Sequence, residues 1–184
     1  MSVPAGEHEF SRVIRIEPEM GSGDDAVTFT IEANPDERAA LARRFGLLAL
    51  DALSAAGRID VASRGRRARL TATLKADATQ ICVVSLEPVR STIEEQFSVT
   101  YDRDAGRTRI EPVQDFDIDA EDPPDPLPDD GIDVGEAVAE HFGLALDPYP
   151  NAPGVAIDAQ EQGGERTEPG ETSPFSVLDR LKGR

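Results

Sequence analysis

Two stretches of strict alternation constrain this chain more than anything else in it. Over residues 68–85, Leu70, Ala72, Leu74, Ala76 and Ala78 alternate with Thr71, Thr73, Lys75, Asp77 and Thr79. Over residues 92–101, Ile93, Glu95, Phe97, Val99 and Tyr101 oppose Thr92, Glu94, Gln96, Ser98 and Thr100. A period of two sends successive side chains to opposite faces of a strand, so each stretch predicts one buried and one wet face. That is the pattern of an antiparallel sheet covered on one side. Pro88 interrupts the run, and residues 102–106 (DRDAG) predict a hairpin loop from which residues 108–113 return.

The remaining elements are shorter. Residues 10–16 (FSRVIRI) and 27–31 (VTFTI) predict strands, and residues 21–25 and 63–67 predict turns. The Ala-rich stretch 48–61 has helix formers, but Gly57 and its extended end favour a strand through most of it. A helix begins at Asn34, with Pro35 at its first position, Glu37 three residues after the cap and Gly46 as the stop. Its inner face is Leu41, Ala42 and Phe45. A second helix begins at Asp133, where Glu136 predicts another capping box, and carries the stripe Val134, Val138, Phe142 and Ala145. The fold expected is α+β: a mostly antiparallel twisted sheet or partial barrel with two main helices, an acidic Pro-rich loop and a disordered C-terminal tail. Residues 1–154 form the one domain. Residues 155–173 are nearly devoid of apolar side chains and are expected to be disordered. Residues 174–184 form a short amphipathic motif in which Phe175, Leu178 and Leu181 share a face.

Charge narrows the function. The net charge is −17, which argues against bulk nucleic-acid binding, DNA and anionic membranes alike. The imbalance is lopsided: residues 1–92 hold 13 acidic and 12 basic side chains, residues 93–184 hold 23 and 7. Eight carboxylates fall between Asp115 and Asp130 with no Lys or Arg among them. Asp115, Asp117, Asp119, Asp122 and Asp125 are candidate contacts for a basic partner, against the plainer reading of a solvated loop. A calcium loop starting at Asp115 fails, because Ala120 and Pro126 stand where Gly and Glu are needed. The one basic concentration is Arg64, Arg66, Arg67 and Arg69 at a turn. It reads equally as a charged edge that blocks aggregation or as a small, salt-sensitive RNA phosphate contact. Cys82 is the single cysteine and reads as a small buried hydrophobe at a strand end. His141 reads as a cation at a helix C-terminus. No signal peptide, membrane span or phosphate-binding glycine loop is visible, so a cytoplasmic protein is expected.

Three segments carry a resemblance: residues 78–89 (ATQICVVSLEPV) with the alternating 93–101, residues 122–154 (DPPDPLPDDGIDVGEAVAEHFGLALDPYPNAPG), and residues 173–182 (SPFSVLDRLK). Together they resemble the bacterial YceD-like family of large ribosomal RNA subunit accumulation proteins. The resemblance implies a non-enzymatic ribosome-biogenesis factor that supports 23S ribosomal RNA accumulation and large-subunit assembly. It implies no cofactor and no catalytic residues. The implied partner is a large-subunit ribosomal protein or an assembly intermediate, with a weak contact to ribosomal RNA. Many relatives have Cys-x-x-Cys where this chain has Cys82-Val83-Val84-Ser85, and some have further cysteines where it has residues 147–154, so zinc is not supported here. Two other readings stand beside this one: a metal-dependent hydrolase using the acidic segment, and an adaptor whose C-terminal motif docks on a partner or on its own domain.

Overall fold

A computed structural model describes residues 8–17, 26–105 and 123–154. Strand β1 is Val13–Ile14, β2 is Ala26–Glu32, helix α1 is Pro35–Arg44, β3 is Ala49–Ala62, β4 is Arg67–Ile81 and β5 is Pro88–Asp102. Strands β6 (Asp125–Pro126) and β7 (Ile132–Asp133) lead into helix α2, Val134–Ala145. The main sheet runs in the order β2-β3-β4-β5-β6, antiparallel except for β5 against β6, and it does not close. A second, two-stranded sheet pairs β1 with β7. The α+β class and mostly antiparallel sheet are as the alternation predicts. The expected return strand 108–113, linker 155–173 and motif 174–184 lie outside the described residues.

The alternation decides which face is buried. Leu70, Ala72, Leu74, Ala76 and Ala78 of β4 are all buried. They join Leu53 and Ile59 of β3, Phe97 of β5, Leu41 and Ala42 of α1, and Val138 and Phe142 of α2 in one core. Helix α1 packs on β3, and α2 on β4 and β5. Each large aliphatic side chain sealed this way contributes about 1.5–3 kcal/mol. The opposite face is polar and largely neutralised by its own pairs: Arg58 with Asp60, Arg90 with Asp51, and Lys75 with Glu94 at 3.2 Å.

Strand β3 resists reading because a bulge re-phases it. The register slips between Leu50 and Ala52, so Leu50 and Leu53 both face the core. Tertiary pairing along nearly the whole of β4 overrides the helix propensity of its alanines. Gly57 permits the approach, since a Cβ there would run into the Thr71 carbonyl of β4.

Both helices start where expected. Asn34 Oδ1 accepts from the backbone N–H groups of Asp36 and Glu37 at 2.9 and 3.0 Å, and Glu37 accepts from the Asn34 N–H at 2.8 Å. The second cap is only half the predicted box. Asp133 accepts from Gly135 and Glu136 N–H, but the Glu136 carboxylate turns to Arg44 at 2.8 Å and His8 at 3.3 Å. Two strands are shorter than expected. Only Val13–Ile14 of residues 10–16 pair, and β4 stops at Ile81, after which the chain turns and Pro88 opens β5.

Candidate functional site

The four turn arginines do not form one cluster. Period two in β4 sends Ala68 and Leu70 inward, so Arg67 and Arg69 project from the opposite face. Arg67 Nε donates to Asp102 at 2.6 Å. Asp102 is buried and sits below the usual carboxylate range, held there by the Asp104 N–H and by Arg67. Arg69 lines a hollow with Ser98, Thr100, Asp125 and His141. Among the described residues no hydrogen bond links Ser98, Asp125 and His141, so they are not arranged as a nucleophile and its base.

Arg64 and Arg66 belong elsewhere. They precede β4, on the turn, and line an open cleft of about 760 Å³ together with Arg15 and Arg103. Glu17, Asp129 and Asp130 also contribute to its walls. Arg103 fixes the shape of this cleft. Its Nε donates to the Gly65 carbonyl at 3.0 Å, one terminal nitrogen to Asp129 at 3.1 Å, and the other to the Ile16 carbonyl at 3.3 Å. One guanidinium thereby ties the turn, the segment after β1 and the 127–131 loop together. Arg66 is paired with Asp104. Among the described residues Arg15 and Arg64 meet no carboxylate.

Arg15 and Arg103 were not legible as site residues. Arg15 arrives through the pairing of β1 with β7, which no local pattern announces. Arg103 was within reach: β4 and β5 pair Arg67 with Asp102, which places Arg103 beside Arg66, and its N–H donates to the Arg66 carbonyl at 2.9 Å.

Of the acidic candidates, Asp125 is described and Asp115, Asp117, Asp119 and Asp122 are not. Asp125 opens β6 and pairs in parallel with Tyr101 at the sheet edge. Phe175, Leu178 and Leu181 also lie outside the described residues. Among the described residues no three His, Cys, Asp or Glu side chains converge as metal ligands. His141 departs from its expected role. Its ring stacks on Phe97, centroids 4.0 Å apart, and burial lowers its pKa below the ordinary imidazole value. A ring stacked on β5 stands where a helix-end cation was expected.

Cys82 is buried, as expected, but it is not merely a hydrophobe. Its sulfur accepts from the N–H groups of Ser85 and Ala152 at 3.3 Å and of Val84 at 3.4 Å. The Val83 N–H donates to the Pro150 carbonyl at 2.9 Å. The turn after β4 and residues 150–152 are therefore in contact. The Ser85 side chain and then the backbone N–H groups outweigh burial and bring the thiol down to about 6. A folded-state pKa below the unfolded one adds stability that is complete above the unfolded value and lost as pH falls through the folded value. Unfolding free energy should therefore rise between about pH 6 and its ordinary value of 9.0. Urea titrations across that window should show the rise in the wild type and a flatter profile in Cys82→Ala; parallel profiles would refute it.

A family model described as "Large ribosomal RNA subunit accumulation protein YceD" matches residues 70–182, more than half of the sequence. The chain belongs to the YceD family. The match takes in nearly all of β4, all of β5 and all of α2, and includes Cys82, Arg103 and Asp125. Arg15 and the four turn arginines precede it. No curated relative and no solved structure matches the chain. No helix among the described residues is long and apolar enough to cross a membrane.

Proposed function

We propose that this chain is a non-enzymatic ribosome-biogenesis factor that supports 23S ribosomal RNA accumulation and large-subunit assembly by binding. Membership of the YceD family carries the reading, because the family's description names large ribosomal RNA subunit accumulation. The charge distribution supports a division of labour. The second half of the chain, with Asp115, Asp117, Asp119, Asp122 and Asp125, holds or masks a basic large-subunit ribosomal protein. The arginine-bearing turn, Arg64 to Arg69, approaches ribosomal RNA. The work is done in the cytoplasm, where ribosomal subunits assemble. Phe175, Leu178 and Leu181 supply a further apolar contact to the same assembly intermediate.

The decisive experiment deletes the gene and resolves ribosomal subunits on a gradient. A reduced large-subunit peak and a lowered 23S level, both restored by the intact gene, are expected. Normal profiles and normal 23S would refute the reading. Charge neutralisation of Asp115, Asp117, Asp119, Asp122 and Asp125 to the amides should weaken co-purification with large-subunit precursors at low salt. Unchanged co-purification would remove the acidic segment as the contact.

A further inference from the structure

We propose that the cleft under the β3–β4 turn is a phosphate-backbone site for ribosomal RNA, anchored by Arg15 and Arg64. This rests on the assembly reading above and gives it an address.

The pairing pattern selects the two anchors. In a chain of net charge −17, most of the described arginines find a carboxylate: Arg12, Arg44, Arg58, Arg66, Arg67, Arg90 and Arg103 all do. Arg103 is committed to building the cleft, and Arg66 is held by Asp104. Arg15 and Arg64 reach the same opening with no carboxylate on either among the described residues. A guanidinium presents its donors in a planar fork that fits phosphate oxygens two at a time.

Backbone conformation is an independent sign. Ser63, Arg64 and Gly65 have φ of 55°, 56° and 70°, three successive residues in the left-handed region. Gly65 adopts it freely, but side chains with a Cβ rarely do. Glycine or asparagine at position 64 would relieve the turn. An arginine held there at a cost to the fold is expected where its side chain is used.

The carboxylates in the lining decide the class of ligand. Glu17 and Asp130 sit in the same cleft. An acidic peptide would bring only further carboxylates against them. RNA brings 2′-hydroxyl donors beside each phosphate, which carboxylates accept and DNA lacks. Two anchors limit the contact to one or two phosphates, and the surrounding negative charge keeps it weak and salt-sensitive.

The test titrates the full chain into a short labelled single-stranded RNA and follows anisotropy between about 50 and 200 mM salt. Arg15→Ala and Arg64→Ala should each weaken binding about tenfold at the lower salt and reduce the salt slope by about one unit. Arg58→Ala, on the self-paired face, should change neither. Arg64→Gly separates binding from folding: it should lose affinity as Arg64→Ala does while melting about 2–4 °C higher than wild type. Unchanged affinity in Arg15→Ala and Arg64→Ala would overturn the site. So would equal affinity for polyglutamate, or for DNA of the same sequence. The assembly role and the cleft can be lost independently. A deletion strain with a normal large-subunit profile removes the assembly reading. A defective strain fully rescued by the Arg15→Ala, Arg64→Ala double variant removes the cleft alone.

Discussion

Phe142→Ala should destabilise the protein by about 3–5 kcal/mol, measured as a shift in the urea midpoint at unchanged slope. Phe142 is fully buried at the centre of the face α2 turns to the sheet. Its ring meets Phe45 edge-on, centroids 5.5 Å apart and planes at 83°. Truncation removes the transfer energy of the ring and leaves a cavity whose cost depends on how far the walls can move. Here they are constrained. The Phe45 ring rests against the backbone at Gly143, where a Cβ would stand only 2.6 Å from Phe45 Cε1, and the Arg44 guanidinium lies over the Phe45 ring at 5.2 Å from its centroid. Leu144→Ala is the control. That side chain is 80% exposed, so its loss should stay within about 0.5 kcal/mol. A Phe142→Ala cost below about 1 kcal/mol would mean that α2 does not close this core.

What the sequence announced and what it hid follow a physical division. Features set by neighbours in the chain were legible. The alternation of β4 and β5 is a property of consecutive residues, and every inward position of β4 from Leu70 to Ala78 is buried as predicted. The Asn34 capping box spans four residues and forms completely. Features set by distant partners were not. The bulge at Leu50 and Ala52 exists because β3 must bring two leucines to one core. Glu136 has the right spacing for a reciprocal cap, but Arg44 on the neighbouring helix offers an opposite charge instead of a neutral N–H. His141 looks like a terminal cation until Phe97 stacks on it. The candidate site divides along the same line. Four consecutive-looking arginines suggested one cluster, yet strand periodicity separates Arg67 and Arg69 from Arg64 and Arg66. The arginines that complete the cleft, Arg15 and Arg103, come from just after β1 and just after β5.

Asp133→Ala is expected to cost about 3 kcal/mol, more than the ~1 kcal/mol of an ordinary helix cap. The reason is the number of donors on one carboxylate. Besides the Gly135 and Glu136 N–H groups, Asp133 accepts from the Arg12 N–H at 2.7 Å and from the Ser11 hydroxyl at 2.6 Å. Hydrogen bonds to a charged acceptor are worth more than neutral ones, and alanine leaves these partly buried donors without it. The same bonds hold the segment that leads into β1, packed so closely on α2 that a Cβ at Gly135 would run into the Phe10 carbonyl. That segment carries Arg15 to the cleft. Asp133→Ala should therefore speed amide exchange over residues 11–16 ahead of the central strands β3 and β4. It should also weaken RNA binding without touching a single proposed contact. Asp133→Asn keeps an acceptor and should restore part of both. If exchange speeds up but RNA affinity stays at the wild-type value, the position of Arg15 does not depend on this anchor. If neither changes, the four hydrogen bonds do not organise the N-terminal segment.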